Sequence, residues 1–327
     1  MDNDRFGDEA ARNLRRAWFD FLDLIEPQRP DLHRFCLRLT GNVWAAEDLC
    51  QDTLLRGFGS IGRGDLHGEP ARVRNARAFL FRIAANLWID HARRAALETA
   101  LELDPPSTPP DAETTASLRD AGAALFRDIA PQARAAVVLK DAFDFSLDET
   151  AELLSTTVGA VKAALHRGRL ALQTTSAGGP LRRAAPASAD LVERFVAAFR
   201  AHDATALRDV LLETVSIEVQ GVGGGRGRGG DWADHAAAHA SPRMEARSFD
   251  GELIVLHLTR SGRLVAISRL EETEGLASRV MIYLFTPDTL ASVAAELGLE
   301  VVGGPYHQTP ETVTNMIASN VLPWTTA

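Results

Sequence analysis

A short acidic segment carries side chains that could bind a basic protein surface. If it is helical, each residue turns by about 100°, which separates a core face from a carboxylate face with apolar residues set into it. Such a surface favours docking onto a basic helical partner, although a solvated polar face is the ordinary alternative. We call it the acidic face: Glu47, Asp48, Gln51 and Asp52, with Trp44 and Leu55. The core face is expected to hold Ala46, Leu49, Cys50 and Thr53.

A second segment carries side chains that could read an unpaired base. Arg82, Asn86 and Arg93 share one side of a helix, opposite a broad apolar side. The Asn86 amide offers the donor and acceptor pair that a base edge needs, and nearby arginines provide a charged track for single-stranded DNA. The alternative is a solvated arginine face. The apolar side holds Phe79, Leu80, Ile83 and Leu87, and upstream charge comes from Arg72, Arg74 and Arg77.

A third segment predicts a helix-turn-helix. Ser146 and Glu149 have the spacing of a capping box, which opens a short helix, and a tight turn at Ser155-Thr156 leads into a second helix. In that helix Val161, Leu165 and Leu172 form a packing line. Lys162, His166 and Arg169 share the adjacent face and Arg167 projects from the far side, so all four are candidates for the major groove and its phosphates. An ordinary amphipathic hairpin is the alternative.

Together these segments make residues 14–174 resemble a sigma factor of the extracytoplasmic-function type, in the sigma-70 family, reduced to its second and fourth regions. The family's region 2.2 typically reads Ala-Glu-Asp-Leu-hydrophobic-Gln-Asp/Glu, which matches residues 46–52. Its next helix is matched at Ile83, Ala84, Asn86, Asp90, Arg93 and Arg94. The fourth region keeps Pro131, Arg134, Val161, Lys162 and Leu165, but has alanine at 160, 163 and 164.

The resemblance implies promoter recognition, without enzymatic activity, catalytic residues, a metal or a cofactor. Family members bind core RNA polymerase through its β′ clamp helices and β flap, and they bind promoter DNA. The residues implied for polymerase binding are Glu47, Asp48, Gln51, Asp52 and Leu55. Those implied for the minus-10 element are Arg72, Arg74, Arg77, Arg82, Asn86 and Arg93, and those for the minus-35 element are Lys162, His166, Arg167 and Arg169.

Proline-rich and glycine-rich stretches divide the chain into several domains. We expect region 2, a helical bundle, over 14–98, a Pro-rich linker over 99–115, and region 4, a helix-turn-helix, over 116–174. A second linker over 175–188, an α+β domain over 189–307 and a tail over 308–327 follow. The fold class is therefore multidomain, with two all-α sigma domains and a C-terminal α+β domain.

The C-terminal domain is predicted to begin with two helices and to continue as a curved antiparallel sheet. It resembles the SnoaL-like group of the NTF2-like cone, which occurs as a C-terminal extension on certain of these sigma factors. We expect this C-terminal domain to regulate the activity of the sigma regions through an intramolecular contact with the sigma core. The helices are predicted over 191–200 and 204–212, and the strands over 215–220, 252–259, 264–270 and 279–285.

Several residues of this domain could support other chemistry. Asp231, His235 and His239 recur every four residues, a spacing that can bind zinc, but no further ligand cluster accompanies them. The glycines of 221–230 lack the Gly-Lys-Ser/Thr ending of a phosphate loop, so a flexible loop or an interdomain contact is expected. The tyrosines, Tyr283 and Tyr306, have no aspartate pairing that would suggest an isomerase.

The overall charge limits what the free chain can do with DNA. At a net charge of -9 it should bind duplex DNA weakly, because phosphate neutralisation supplies most nonspecific affinity. The two cysteines and the lack of a long apolar run favour a reduced, cytoplasmic setting without a membrane. Two rival functions stay open: a helix-turn-helix regulator that acts without polymerase, and a fused ligand-binding or isomerase-like enzyme domain.

Overall fold

The computed structural model describes residues 16–18, 20–66, 75–101, 129–174, 187–220, 223–226, 233 and 243–302. The chain divides into two compact units, Met1–Pro180 and Leu181–Ala327. In the described part of the chain, no helix has the length and apolar character needed to cross a membrane.

The first unit is built from helices. A helical stretch at 16–18 and 20–25 leads into a 3-10 turn at Glu26–Gln28. The helices that follow are α1 (Arg29–Thr40), α2 (Val43–Leu66), α3 (Ala76–Leu101), α4 (Pro131–Val137) with a π-helical continuation at Val138–Ala142, α5 (Leu147–Leu153) and α6 (Val158–Thr174).

Polar side chains and glycine fix where these helices begin and end. Gly41 adopts a left-handed φ of 72° and ends α1 by donating its N–H to the Leu37 carbonyl. Asn42 Oδ1 then accepts from the backbone N–H groups of Trp44 and Ala45, which starts α2. The capping box of α5 is confirmed, since Glu149 N–H donates to Ser146 Oγ and Ser146 N–H donates to the Glu149 carboxylate.

One hydrophobic core runs through the first unit, on both sides of the predicted linker. Helices α1–α3 contribute fully buried side chains such as Phe35, Leu54 and Phe81, and α4–α6 contribute Leu139 and Val161 to the same cluster. Most of the linker lies outside the described residues, which resume at 129. The two halves of this unit therefore pack against each other.

The second unit is an α+β domain. Its elements are α7 (Ala189–Arg200), α8 (Ala204–Asp209), β1 (Leu211–Val219), β2 (Gly223–Arg226), β3 (Arg243–Phe249), β4 (Glu252–Leu258), β5 (Leu264–Thr273), β6 (Leu276–Tyr283) and α9 (Pro287–Leu297). Helix α7 buries Phe195 and Phe199 in a cluster with residues of the sheet, among them Val255, Leu270 and Val280.

The sheet is mixed, which corrects the expectation of an antiparallel one. Its strand order is β2-β1-β6-β5-β4-β3, and β1 runs parallel to β6, with Ile217 opposite Val280. A parallel pair needs a long connection, and the whole of β2 to β5 supplies it. The second predicted helix ends at Asp209 rather than at 212, because the strand begins at Leu211. Part of the expected glycine loop is strand β2, which pairs with β1.

Candidate functional site

The acidic face of α2 divides into an exposed part and a buried part. Asp48 and Asp52 are exposed, and the side chain of Leu55 is 60% exposed. Glu47 and Trp44 are each only 2% exposed, so the prediction that they belong to an open docking surface is wrong. Glu47 stands four residues after Val43 and three before Cys50, both buried, and therefore falls on the packed line of the helix.

The buried Glu47 carboxylate accepts a hydrogen bond from its own helix. Gln51 Nε2 donates to Glu47 Oε1 at 2.7 Å, and the buried Arg29 lies near enough that both charges act on Cys50. Burial is the main cause that raises the pKa of the Cys50 thiol well above its usual range, and the Cys36 thiol and Glu47 add to it. Both cysteines are buried and free, which keeps Cys50 a neutral thiol.

Helix α3 presents part of the predicted DNA-reading line to solvent. Arg82 and Arg93 are exposed, and Asn86 is half-buried. Eleven residues at 1.5 Å per residue place Arg82 and Arg93 about 16 Å apart along one helix. Arg72 and Arg74 lie outside the described residues.

Arg77, which is predicted to add positive charge upstream of this line, is placed differently from Arg82 and Arg93. Its guanidinium lies over three phenylalanine rings, at 5.2 Å from the centroid of Phe81, 5.7 Å from Phe143 and 4.9 Å from Phe145. Its Nη2 donates to the Phe143 carbonyl at 3.4 Å, and its Nε lies 3.5 Å from Asp31 Oδ2. The side chain stays 35% exposed. We call Arg77, Phe81, Phe143 and Phe145 the Arg77 cluster.

The predicted helix-turn-helix is confirmed in α5 and α6. Ser155 adopts a left-handed φ of 50° in the turn between them, and Val161 and Leu165 are buried as expected. Lys162, His166 and Arg167 are exposed on α6.

Three of the four residues predicted to contact the minus-35 element line one basic cavity. Lys162, His166 and Arg169 line an open cavity of about 440 Å³, whereas Arg167 is not among its lining residues. Arg169 is already engaged by Asp141, which accepts from its Nε at 2.9 Å and its Nη2 at 2.5 Å and raises the pKa of this arginine. The remaining lining residues are Lys140, Leu147, Leu165 and Leu170.

Sequence reasoning missed Lys140 as part of this surface. It lies on the π-helical continuation of α4, outside the two helices that the motif identified. A usable signal was present, because Lys140 and Lys162 are the only lysines among 35 basic residues, and both line the same cavity.

In the second unit, most of the residues that were considered for zinc binding or isomerase activity lie outside the part of the chain that the structure describes. Asp231, His235, His239 and Tyr306 lie outside the described residues. Tyr283 is fully buried, and its hydroxyl is 3.3 Å from Arg269 Nη1. Within the described ranges no group of three or more His, Cys, Asp or Glu side chains could hold a metal ion.

Two family models match the helical unit. The model for sigma-70 region 2 matches residues 24–98, which include α1, α2 and most of α3. The model for sigma-70 region 4 matches residues 125–172, which include α4, α5 and most of α6. The matched residues include Arg77 and Phe81 in the first range, and Phe143 and Phe145 in the second.

Curated relatives carry the same regions. The ECF RNA polymerase sigma factor SigG of Mycobacterium tuberculosis is 32% identical over 61% of this chain, and the chain spans only 60% of that protein's length. The ECF RNA polymerase sigma factor SigL of the same species is 34% identical, over 51% of this chain and 90% of SigL. Among solved structures, the sigma factor RpoE in complex with the anti-sigma factor NepR from Bartonella quintana is 26% identical, covers 47% of this chain and 94% of that chain, and has a TM-score of 0.35.

The two matched regions follow each other in order within one helical unit, and SigL is matched over nearly its whole length. These features are those of a group of transcription factors, not of enzymes. The chain therefore belongs to the ECF sigma factors of the sigma-70 family.

Proposed function

We propose that this chain binds core RNA polymerase and directs promoter-specific transcription initiation. The observation that carries the proposal is the presence of both sigma regions, in order, within one compact unit. The relatives SigG and SigL are named as RNA polymerase sigma factors, which supports the same function.

Polymerase docking is assigned to the exposed part of the acidic face. Asp48, Asp52 and Leu55 offer carboxylates beside an apolar side chain, a surface that suits a basic helical partner such as the β′ clamp helices. Glu47 and Gln51 act behind this surface, since their hydrogen bond holds a buried carboxylate in the packed line of α2.

DNA recognition is divided between the two regions. Arg82, Asn86 and Arg93 on α3 hold and read an unpaired base of the minus-10 element, and Lys162, His166 and Arg167 on α6 contact the minus-35 duplex. One good bidentate base contact contributes about 1–3 kcal/mol, which is too little to select a promoter alone. Two such sites on one chain multiply their selectivity. The β flap is the expected polymerase partner of region 4.

The second unit is assigned a regulatory role. Helices first and a six-stranded sheet afterwards fit the SnoaL-like, NTF2-like cone expected from the sequence. We assign it an intramolecular contact with the sigma core that changes promoter output.

The docking surface is tested by transcription with core polymerase and this chain, comparing wild type with Asp48→Arg. Reversing an exposed charge at the centre of the surface should lower initiation by tenfold or more, about 1.4 kcal/mol of lost binding. The matched control is Glu152→Arg, because Glu152 is an exposed carboxylate on α5 and undergoes the same change of charge.

Unchanged initiation by Asp48→Arg, or an equal loss in both variants, would rule out this docking surface. A gel shift of duplex DNA by the free chain at moderate salt, without any polymerase-dependent transcription, would instead favour a regulator that acts alone.

A further inference from the structure

We propose that strand β3 of the second unit pairs edge to edge with β3 of a second copy of this chain. In the described part of the sheet, β3 has β4 as its only neighbouring strand and is therefore an edge strand. Ala246, Arg247 and Ser248 are consecutive exposed residues of this strand. The proposal goes beyond promoter recognition and involves no residue of the sigma regions.

The hairpin between β3 and β4 fixes which backbone groups of β3 point away from β4. Its turn consists of Asp250 and Gly251, with positive φ values of 53° and 76°, and Phe249 pairs with Glu252 beside it. In a hairpin with such a two-residue turn, the pair beside the turn is hydrogen-bonded, and bonded and non-bonded pairs alternate from there. The residues that bond to β4 by this alternation are Arg243, Glu245, Arg247 and Phe249, and those that direct N–H and C=O away from β4 are Met244, Ala246 and Ser248.

A side-chain contact from α7 agrees with this alternation. Arg200 Nη2 donates to the Met244 carbonyl at 2.5 Å, so this carbonyl points to the open edge. The guanidinium uses one of the two acceptor positions of that oxygen. Within the described residues, no side chain makes the same kind of contact with the backbone of Ala246 or Ser248. The middle of the strand is therefore the part of the edge that another strand can use.

Antiparallel pairing of two β3 strands about Ala246 brings outward-facing backbone groups together. Ala246 lies opposite Ala246 of the second copy, and Met244 lies opposite Ser248 of the second copy. Each of these pairs can exchange N–H···O=C bonds, because both members direct their groups outward. All seven residues of β3 then lie opposite a residue of the other strand.

The charges of β3 favour the same register. Glu245 of each copy lies opposite Arg247 of the other, in non-hydrogen-bonded pairs, whose side chains approach most closely. Centring the pairing on Glu245 or on Arg247 would place like charges opposite each other, which destabilises a sheet. Centring it on Met244 would oppose Glu245 and Arg243 but would pair only residues 243–245 of the strand. Charged edge strands ordinarily resist pairing, whereas the order of charges in β3 is complementary to itself.

The side chains of this edge keep donors available for a second copy. Arg247 Nη2 donates to Glu245 Oε2 at 2.9 Å, and Arg243 Nε donates to Glu245 Oε1 at 2.6 Å. The hydrogen bond from Arg247 is the main cause that lowers the pKa of the Glu245 carboxyl, which is therefore ionised at neutral pH. The Arg247 side chain is 57% exposed. Since a guanidinium has five N–H donors, Arg247 can also bind Glu245 of the second copy.

The first test is sedimentation velocity of the full chain over a range of concentrations. We expect the wild type to pass from monomer to dimer as the concentration rises. Ala246→Pro removes the outward N–H at the centre of the pairing and spares the bonds to β4, so dimerisation should weaken by about tenfold or more. The matched control is Ala246→Ser, which keeps the N–H and should dimerise like the wild type.

The second test exchanges the charges of the edge. Glu245→Arg and Arg247→Glu should each weaken dimerisation by about tenfold, because like charges then lie opposite each other in both pairs. In an equimolar mixture of the two variants, each arginine meets a glutamate of the other chain, so dimerisation should return to within about threefold of the wild type. The control is Glu193→Arg, which makes the same change of charge at an exposed position of α7 and should have no effect.

A local failure to fold cannot produce recovery in the mixture. If circular dichroism shows that Ala246→Pro loses strand content, the charge exchange decides the question alone. A wild type that stays monomeric up to about 1 mM would overturn the proposal. So would charge variants that dimerise like the wild type, or weakened variants whose mixture does not recover. Sedimentation involves neither polymerase nor a promoter, so these outcomes do not depend on the proposed initiation function.

Discussion

His257 is a titratable group of the second unit, and we expect it to make the stability of that unit depend on pH. Its Nε2 lies 2.8 Å from Ser268 Oγ, and the ring of Phe199 meets it edge-on at a centroid distance of 6.1 Å. Burial lowers its pKa from 6.5 to about 4. The folded domain therefore holds the neutral imidazole, and the unfolded chain binds a proton more readily.

We expect the second unit to lose stability as the pH falls from about 6.5 towards 4, by at most about 3 kcal/mol. The stability contributed by the neutral ring is fully present above the pKa that His257 has in the unfolded chain. It is lost as the pH falls towards the pKa that His257 has in the folded domain. Hydrogen exchange of peptides from β4, compared between pH 7 and pH 4.5, measures this loss of stability. His257→Gln should flatten the dependence, whereas His202→Asn, at an exposed histidine, should preserve it.

Single side chains on charged helices were the hardest to place from the sequence. Glu47 and Asp48 are adjacent carboxylates of one motif, yet the first is buried and the second is exposed. The angular position of a residue on a helix gives the direction of its side chain. It does not give how far round the helix the buried face extends, because that depends on the neighbouring helices. Arg77 shows the same limit, because its aromatic partners in region 4 are 66 and 68 residues away along the chain.

At the scale of elements, one glycine sets how closely α6 approaches α4. A Cβ added at Gly168 would lie 2.6 Å from Val137 Cγ2 and 3.3 Å from the Ala133 carbonyl oxygen. The first distance is shorter than any ordinary contact, so the Val137 side chain or the helix that carries it would have to shift, and the Ala133 carbonyl would have to give way by a few tenths of an ångström. Gly159, on the same helix, has only Thr157 Oγ1 near such an atom, at 3.9 Å.

Gly168→Ala should therefore destabilise the helical unit by about 1–3 kcal/mol through overpacking. Gly159→Ala is the same chemical change without the clash, and the better helix propensity of alanine should stabilise by up to about 1 kcal/mol. Urea unfolding followed by circular dichroism compares the two variants. Equal shifts of both midpoints in the same direction would contradict the close approach at Gly168.

Elements with local signals were predictable, and elements fixed by distant partners were not. The capping box at Ser146 and the Ser155 turn depend on neighbouring residues, and both were found from the sequence. Strand β3 was missed because most of its side chains are polar or exposed, and its pairing with β4 holds it in the sheet. Strand β2 was missed because three of its four residues are glycine.

At the scale of the whole molecule, the division after Pro180 separates the sigma regions from the second unit. The order of the two sigma regions was predictable because each carries its own motifs. The core that the two regions share was not predictable, since the Pro-rich segment between them suggests two separate domains. The packing of region 4 against region 2 is seen in the contacts of Phe143, Phe145 and Arg134 in the folded chain.

A chain that ends at residue 180 should keep the helical core of the first unit and change promoter output. The cause is the loss of the proposed regulatory contact, and transcription with core polymerase at matched concentrations measures it. Circular dichroism of the truncated chain checks that the helices persist. Equal output from the truncated and full-length chains would remove the case for regulation by the second unit.

The pairing of β1 with β6 also has a consequence for synthesis on the ribosome. Ile217 of β1 pairs with Val280 of β6. Strand β1 therefore gains this neighbour only after most of the second unit has been translated. Domains generally fold as they emerge, beginning with the N-terminal one. We therefore expect each newly made molecule to pass through an interval in which its helical unit is complete while its second unit is still a nascent, unfolded chain.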